Sequence, residues 1–194
     1  GGATASTTPG GGTPATPAAT PTALAGCGIT AVIPPAGGTV TGTTTGTSQQ
    51  AGTCGSTGAS PEKLYQWTPA ASGLATIRTC GTASLYDTVL YVRGDSCTGP
   101  ELGCNDDTAG CGTGEPNDHH GSSLLLNVTA GRTYVIAVDG YNGARGAFSL
   151  TIVAPAGPTP TRTATPSATT TVTPSTTASP TGSGTTTPTP AESA

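Results

Sequence analysis

Tyr86-Asp-Thr-Val-Leu-Tyr-Val-Arg-Gly-Asp-Ser-Cys97, continued through Glu101-Leu-Gly-Cys-Asn-Asp-Asp107, concentrates the chain's clearest apolar alternation, a group of carboxylates and two cysteines. In an extended strand Leu85, Asp87, Val89 and Tyr91 share one face, and Tyr86, Thr88, Leu90 and Val92 share the other. β-Branched and aromatic residues on both faces predict a strand buried on at least part of both sides. Gly94 ends it. Cys97 and Cys104 flank Gly99-Pro100, and a bridge between them would close a tight loop worth roughly 2.5 kcal/mol in the chain-entropy model. This spacing predicts Cys97–Cys104, a bridge that would aim Asp106 and Asp107. Cys80 precedes the central strand and Cys111 follows the acidic loop, which predicts Cys80–Cys111. Cys27–Cys54 then follows by elimination.

Outward from this strand the pattern repeats. Glu62-Lys-Leu-Tyr-Gln-Trp67 alternates, with Leu64 and Gln66 on one face and Tyr65 and Trp67 on the other. Pro69 to Gly73 reads as a turn into Leu74-Ala-Thr-Ile-Arg-Thr79, and the two segments are expected to pair as a hairpin. Two short strands are expected between Ala25 and Gly58, around Ile29, Val32, Ile33 and Val40. The stretch after Gly94 reads as an acidic loop. Beyond it come strands at Ser122–Thr129, Arg132–Asp139 and Ala147–Val153, the last with Phe148, Leu150 and Ile152 on one face. No segment has a helical period. Short strands at near-regular spacing with Gly-rich turns predict an all-β fold, a β-sandwich of jelly-roll type.

The chain has 194 residues, a net charge of −4 and six Lys and Arg in all, placed singly. Such a surface cannot neutralise a phosphate backbone or anionic lipid, so nucleic acid is not an expected partner. No apolar run approaches the ~20 residues of a membrane-spanning helix, and no membrane-spanning segment is predicted. Six cysteines without a CxxC pair fit a disulfide framework better than zinc, which implies an oxidising compartment, outside the cell or at its surface. The absence of Met and the start at Gly1 suggest a mature product from which an initiator and a secretion signal have been cut.

Three regions are expected. Residues 1–23 are rich in Thr, Pro and Gly and read as an extended arm. Residues 24–154 form the sandwich. Residues 155–194 repeat Thr, Pro and Ser in a mucin-like tail, which as polyproline II at about 3.1 Å per residue would reach roughly 120 Å.

The middle of the chain resembles the bacterial pre-peptidase C-terminal domain family. Tyr65-Gln-Trp67, Thr79-Cys-Gly81, Tyr86-Asp-Thr-Val-Leu-Tyr-Val92, Cys97, Glu101-Leu-Gly-Cys-Asn-Asp-Asp107, Thr129-Ala-Gly-Arg-Thr-Tyr134, Val138-Asp-Gly-Tyr141 and Gly146-Ala-Phe148 carry the resemblance, over about residues 27–153. It implies a secreted β-sandwich, non-catalytic, serving adhesion, substrate binding or processing, with calcium bound in some members.

Between Gly94 and Gly131 stand Asp95, Glu101, Asp106, Asp107, Glu115 and Asp118, with no Lys or Arg among them. Calcium takes oxygen ligands from irregular loops, so a structural calcium ion is expected there. Asp87, Asp106 and Asp107 are the leading ligands, with Asn105, Glu115, Asn117 and Asp118 in reserve. The plain alternative is a solvated loop whose Asp and Asn side chains brace turns. His119-His120 reads as a surface pair, because neighbours in a strand point to opposite sides. Ser122 near Asp118 lacks a nucleophile elbow, so no hydrolase is expected.

Asn127-Val-Thr129 matches a glycosylation sequon, although in a bacterial protein the plain reading is an ordinary surface asparagine. The arms differ. Mucin-like tracts gain stiffness from crowded O-linked sugars, and Thr7, Thr8, Thr13, Thr16, Thr159, Thr161, Thr163, Thr165, Thr173, Thr187 and Thr189 are the expected sites. The expected function is a secreted, non-catalytic structural glycoprotein. Copies of it would assemble as a homopolymer, an extracellular filament or surface layer, through the extended arms. The alternative is an adhesion module for carbohydrate or protein on a flexible stalk, cut from a larger secreted hydrolase or adhesin.

Overall fold

The computed structural model describes residues 22–55, 58–116 and 120–157. Within them the chain forms β1 (Ile29–Ile33), β2 (Gly37–Thr43), β3 (Lys63–Trp67), β4 (Gly73–Arg78), β5 (Thr88–Gly94), β6 (Glu101–Asn105), β7 (Ser123–Val128), β8 (Tyr134–Gly140) and β9 (Ala147–Val153). One sheet has the order β1-β3-β8-β5-β6 and the other β2-β9-β4-β7. All pairings are antiparallel except β1 with β3. The fold is a β-sandwich. A single 3-10 turn, Tyr141–Gly143, is the helical element of the described residues.

Alternation explains the core. Tyr65 and Trp67 of β3, Leu90 and Val92 of β5, and Ile136 and Val138 of β8 face Ile77 of β4 and Phe148, Leu150 and Ile152 of β9. All are buried, and the Tyr65 ring meets Phe148 edge-on with centroids 6.2 Å apart. Each large apolar side chain so buried contributes about 1.5–3 kcal/mol.

The five-stranded sheet is also covered on its outer face. Leu64, Val89, Tyr91, Cys97, Val135 and Ala137 form a second cluster there, with Leu24, Cys27, Ile29, Cys54 and Cys104 packed against it. Leu24, Cys27 and Cys54 come from segments without strand structure, and disulfides hold those segments down. Cys27–Cys97 and Cys54–Cys104 fasten the segments before β1 and between β2 and β3 to this sheet, with Cα separations of 5.5 and 5.8 Å. Gly52 lies flat on Tyr91: a Cβ at Gly52 would stand 2.6 Å from Tyr91 Cδ1. Only a glycine fits this approach.

Three expectations are corrected. The predicted Cys97–Cys104 and Cys27–Cys54 bridges give way to Cys27–Cys97 and Cys54–Cys104, while Cys80–Cys111 forms as expected. The reason is the second correction, that Glu101–Asn105 is a strand and not loop. At about 3.3 Å per residue it carries Cys104 some 10 Å away from the turn that holds Cys97, too far to bridge. The third is the hairpin. β3 and β4 lie in opposite sheets, because β3 is buried on both faces and sits between β1 and β8, whereas β4 pairs with β7 and β9.

Candidate metal centre

The β5–β6 ladder pairs Leu90 with Asn105. Asp87 lies just before β5 and Asp106 and Asp107 just after β6, so antiparallel pairing delivers all three to one end of the sandwich. One carboxylate oxygen from each lies within 4.8 Å of the others. Asp87 Oδ1 and Asp106 Oδ1 are shielded from solvent, and Asp107 is exposed. Like charges this close repel one another, and a cation between them would remove the conflict.

The surrounding turn is braced. Asn105 Oδ1 accepts hydrogen bonds from Thr108 Oγ1 at 2.7 Å and from the Ser123 amide at 2.8 Å. Asp107 Oδ1 accepts from the His120 amide at 3.1 Å. Asn105 thus braces the turn that carries Asp106 and Asp107. Glu115 lies apart from the three carboxylates and lines a recess of about 550 Å³ with Asp87, Leu85, Tyr141 and Arg145. The expected ligands Asn117 and Asp118 lie outside the described residues, as does His119. So do the candidate threonines of both arms, Thr7 to Thr16 and Thr159 to Thr189.

The donor set tests which ion fits. Among the described residues the group has three carboxylates and neither thiolate nor imidazole, a hard, all-oxygen donor set that would fit calcium better than zinc.

Charge is balanced elsewhere by a residue just outside the acidic window. Arg132 Nε and Nη2 donate to Asp95 Oδ1 and Oδ2 at 3.1 and 3.0 Å. This hydrogen-bonded pairing holds the Asp95 carboxyl below its ordinary pKa. Glu101 accepts from the Thr53 amide and from Thr53 Oγ1, which ties the covering segment to β6.

Ser122 is fully buried within a hydroxyl network. Its Oγ donates to Thr88 O at 2.5 Å or to Asp106 O at 2.8 Å, and its amide donates to Thr79 Oγ1 at 2.9 Å. The network joins β4, β5 and β7 next to the carboxylates, and it leaves Ser122 no access to a substrate.

Asp139 was not singled out by sequence. It ends the apolar run of β8 and is 3% exposed, with Oδ1 accepting the Gly140 amide at 2.8 Å. Burial first, then the nearby Glu62 carboxylate, push its pKa up to about 7, against the pull of that amide. A carboxylate closing an apolar strand was the available signal.

No family model matches the chain, and no curated protein does. Among solved structures it is similar to the pre-peptidase C-terminal domain of a collagenase from Bacillus anthracis. The identity is 12% over 64% of this chain and 95% of that one, with a TM-score of 0.42. No helix among the described residues is long and apolar enough to cross a membrane.

Proposed function

We propose that this chain is an exported, non-catalytic structural module, joined copy to copy into an extracellular filament or surface layer. The observation that carries the reading is β2. Gly37–Thr43 pairs with β9 along one side and has no strand on the other among the described residues. It contains neither charge nor proline to blunt that edge. Such an edge accepts an added strand through main-chain hydrogen bonds. The proposed occupant is the uncharged, Thr-rich arm of a neighbouring copy, residues 1–21. Each arm departs from the opposite sheet, where Gln66 Nε2 donates to Thr22 O at 3.0 Å and the Leu24 amide donates to Gln66 Oε1 at 2.7 Å. Three disulfides support export to an oxidising environment. Sugars on the arm threonines and a structural calcium ion held by Asp87, Asp106 and Asp107 complete the proposal.

Deletion of residues 1–21 tests it by electron microscopy. The expected product is a folded, disulfide-bonded monomer that no longer polymerises. Filaments from the truncated chain, or none from the full chain, would overturn the assembly.

A second reading, an adhesion module, is favoured by the recess beside Asp87. Tyr141 and Leu85 are 39% and 53% exposed at its rim, and Arg145 and Glu115 add polar groups. Retention of the monomer on carbohydrate or protein matrices, lost in Y141A, would support it.

A further inference from the structure

Asn127 lies on β7, the other edge strand of the four-stranded sheet. Leu126 and Val128 on either side pack into the core, so Asn127 faces away from it and is exposed. Directly across the ladder is Leu74, and Leu125 is two positions along the same face. These are the most exposed large apolar side chains of the described residues, at 55% and 67%. Cross-strand partners stand about 5 Å apart, so both leucines are within reach of a group attached to Asn127. Thr129, also exposed, completes the Asn-Val-Thr acceptor sequence.

We infer that Asn127 carries an N-linked oligosaccharide whose first rings lie over Leu74 and Leu125. The acceptor sequence alone would be weak. What strengthens it is that the amide projects outward and is flanked by the two apolar side chains most in need of cover. The C–H faces of a sugar ring supply that cover, and its hydroxyls stay wet. A glycan here also obstructs strand addition at β7, one of the ways an exposed edge is made safe. It directs assembly to the opposite edge, β2. The donor is a lipid-phosphate-linked oligosaccharide. Asn127 Nδ2 forms a bond to the anomeric carbon, the bond from that carbon to the phosphate oxygen breaks, the lipid phosphate leaves with the electron pair, and Nδ2 gives up one proton.

The inference rests on the export reading, and one experiment separates the two. Intact-mass and peptide spectrometry are applied to the full chain secreted by its native cells, alongside N127Q, T129A and T129S. The expected result is a discrete mass increase of one or more sugar residues localised to Asn127, absent in N127Q and T129A and retained in T129S. A secreted, fully bridged protein with Asn127 unmodified would overturn the glycan and leave export standing. A cell-retained protein with free thiols would overturn both. An unmodified protein whose dimer is dissociated by L125E would also overturn the glycan, assigning this face to a second copy of the chain.

Discussion

The backbone carbonyl of Asp87 accepts the Tyr141 amide at 3.0 Å, so the loop that presents Tyr141 is tied to the carboxylate group at the end of the sandwich. Gly143 is held in turn by Ser60 Oγ at 2.8 Å, and Asn142 adopts a left-handed backbone with φ of 47°. Whatever orders Asp87 therefore orders this turn. A bound calcium ion is expected to raise the melting temperature, because binding to the folded state adds RT ln(1 + [L]/Kd), roughly 2.7 kcal/mol at a hundredfold excess. Chelator should lower the melting temperature of the parent and leave D106N and D107N unmoved. Identical melting curves with chelator and with calcium would sink the assignment.

Asp139 sets a pH dependence. Its folded pKa, about 7, lies above the ordinary carboxylate value of 3.8, so the folded state binds the proton more tightly than the unfolded chain. The stability it contributes is fully present below about pH 4 and is lost as pH rises through about 7, at up to about 1.4 kcal/mol per pH unit. Denaturant melts at pH 5 and pH 8 should show the parent weaker at pH 8. D139N, which keeps the shape without the charge, should flatten the difference. A parent more stable at pH 8 by an amount that D139N does not change would contradict this account.

The covering of the five-stranded sheet depends on its two long-range bridges. Cys27–Cys97 spans 70 residues and Cys54–Cys104 spans 50. In the chain-entropy model each constrains the unfolded chain by roughly 4 kcal/mol, well above a local bridge. Paired Ser substitution of Cys54 and Cys104 should release the segment over Tyr91 and speed hydrogen exchange in β5. Non-reducing peptide mapping that linked Cys97 to Cys104 would refute the arrangement.

Gly52 offers a smaller test of the same packing. G52A forces a methyl against Tyr91 and Cys104 Sγ, which would stand 2.6 and 2.7 Å away. Overpacking of this kind costs about 1–3 kcal/mol. Thermal melts should register that loss, and a neutral G52A would mean that the segment lifts off at no cost.

Much of this fold was legible along the chain, because the side-chain period of a strand is a local property. Parity alone placed Leu90 and Val92 opposite Val89 and Tyr91, and the structure buries both sets, one between the sheets and one beneath the covering segments. The same parity put Phe148, Leu150 and Ile152 on the core face. The sequence also singled out Asp87, Asp106 and Asp107, and the β5–β6 pairing sets one carboxylate oxygen of each within 4.8 Å of the others. Parity says which residues share a face, but not which strand lies alongside. The sheet membership of β3 and β4 was therefore decided only when β8 paired with β3, as was the strand character of Glu101–Asn105, which rests on pairing with β5. Cysteine partners followed from those choices, since a bridge needs Cα atoms within about 7 Å. Spacing along the chain cannot supply that distance across 70 residues of folded chain. Asp139 shows the same division. Its place at the end of an apolar run is written in the sequence, but the burial that raises its proton affinity, and the Glu62 carboxylate that adds to the effect, come from the tertiary structure.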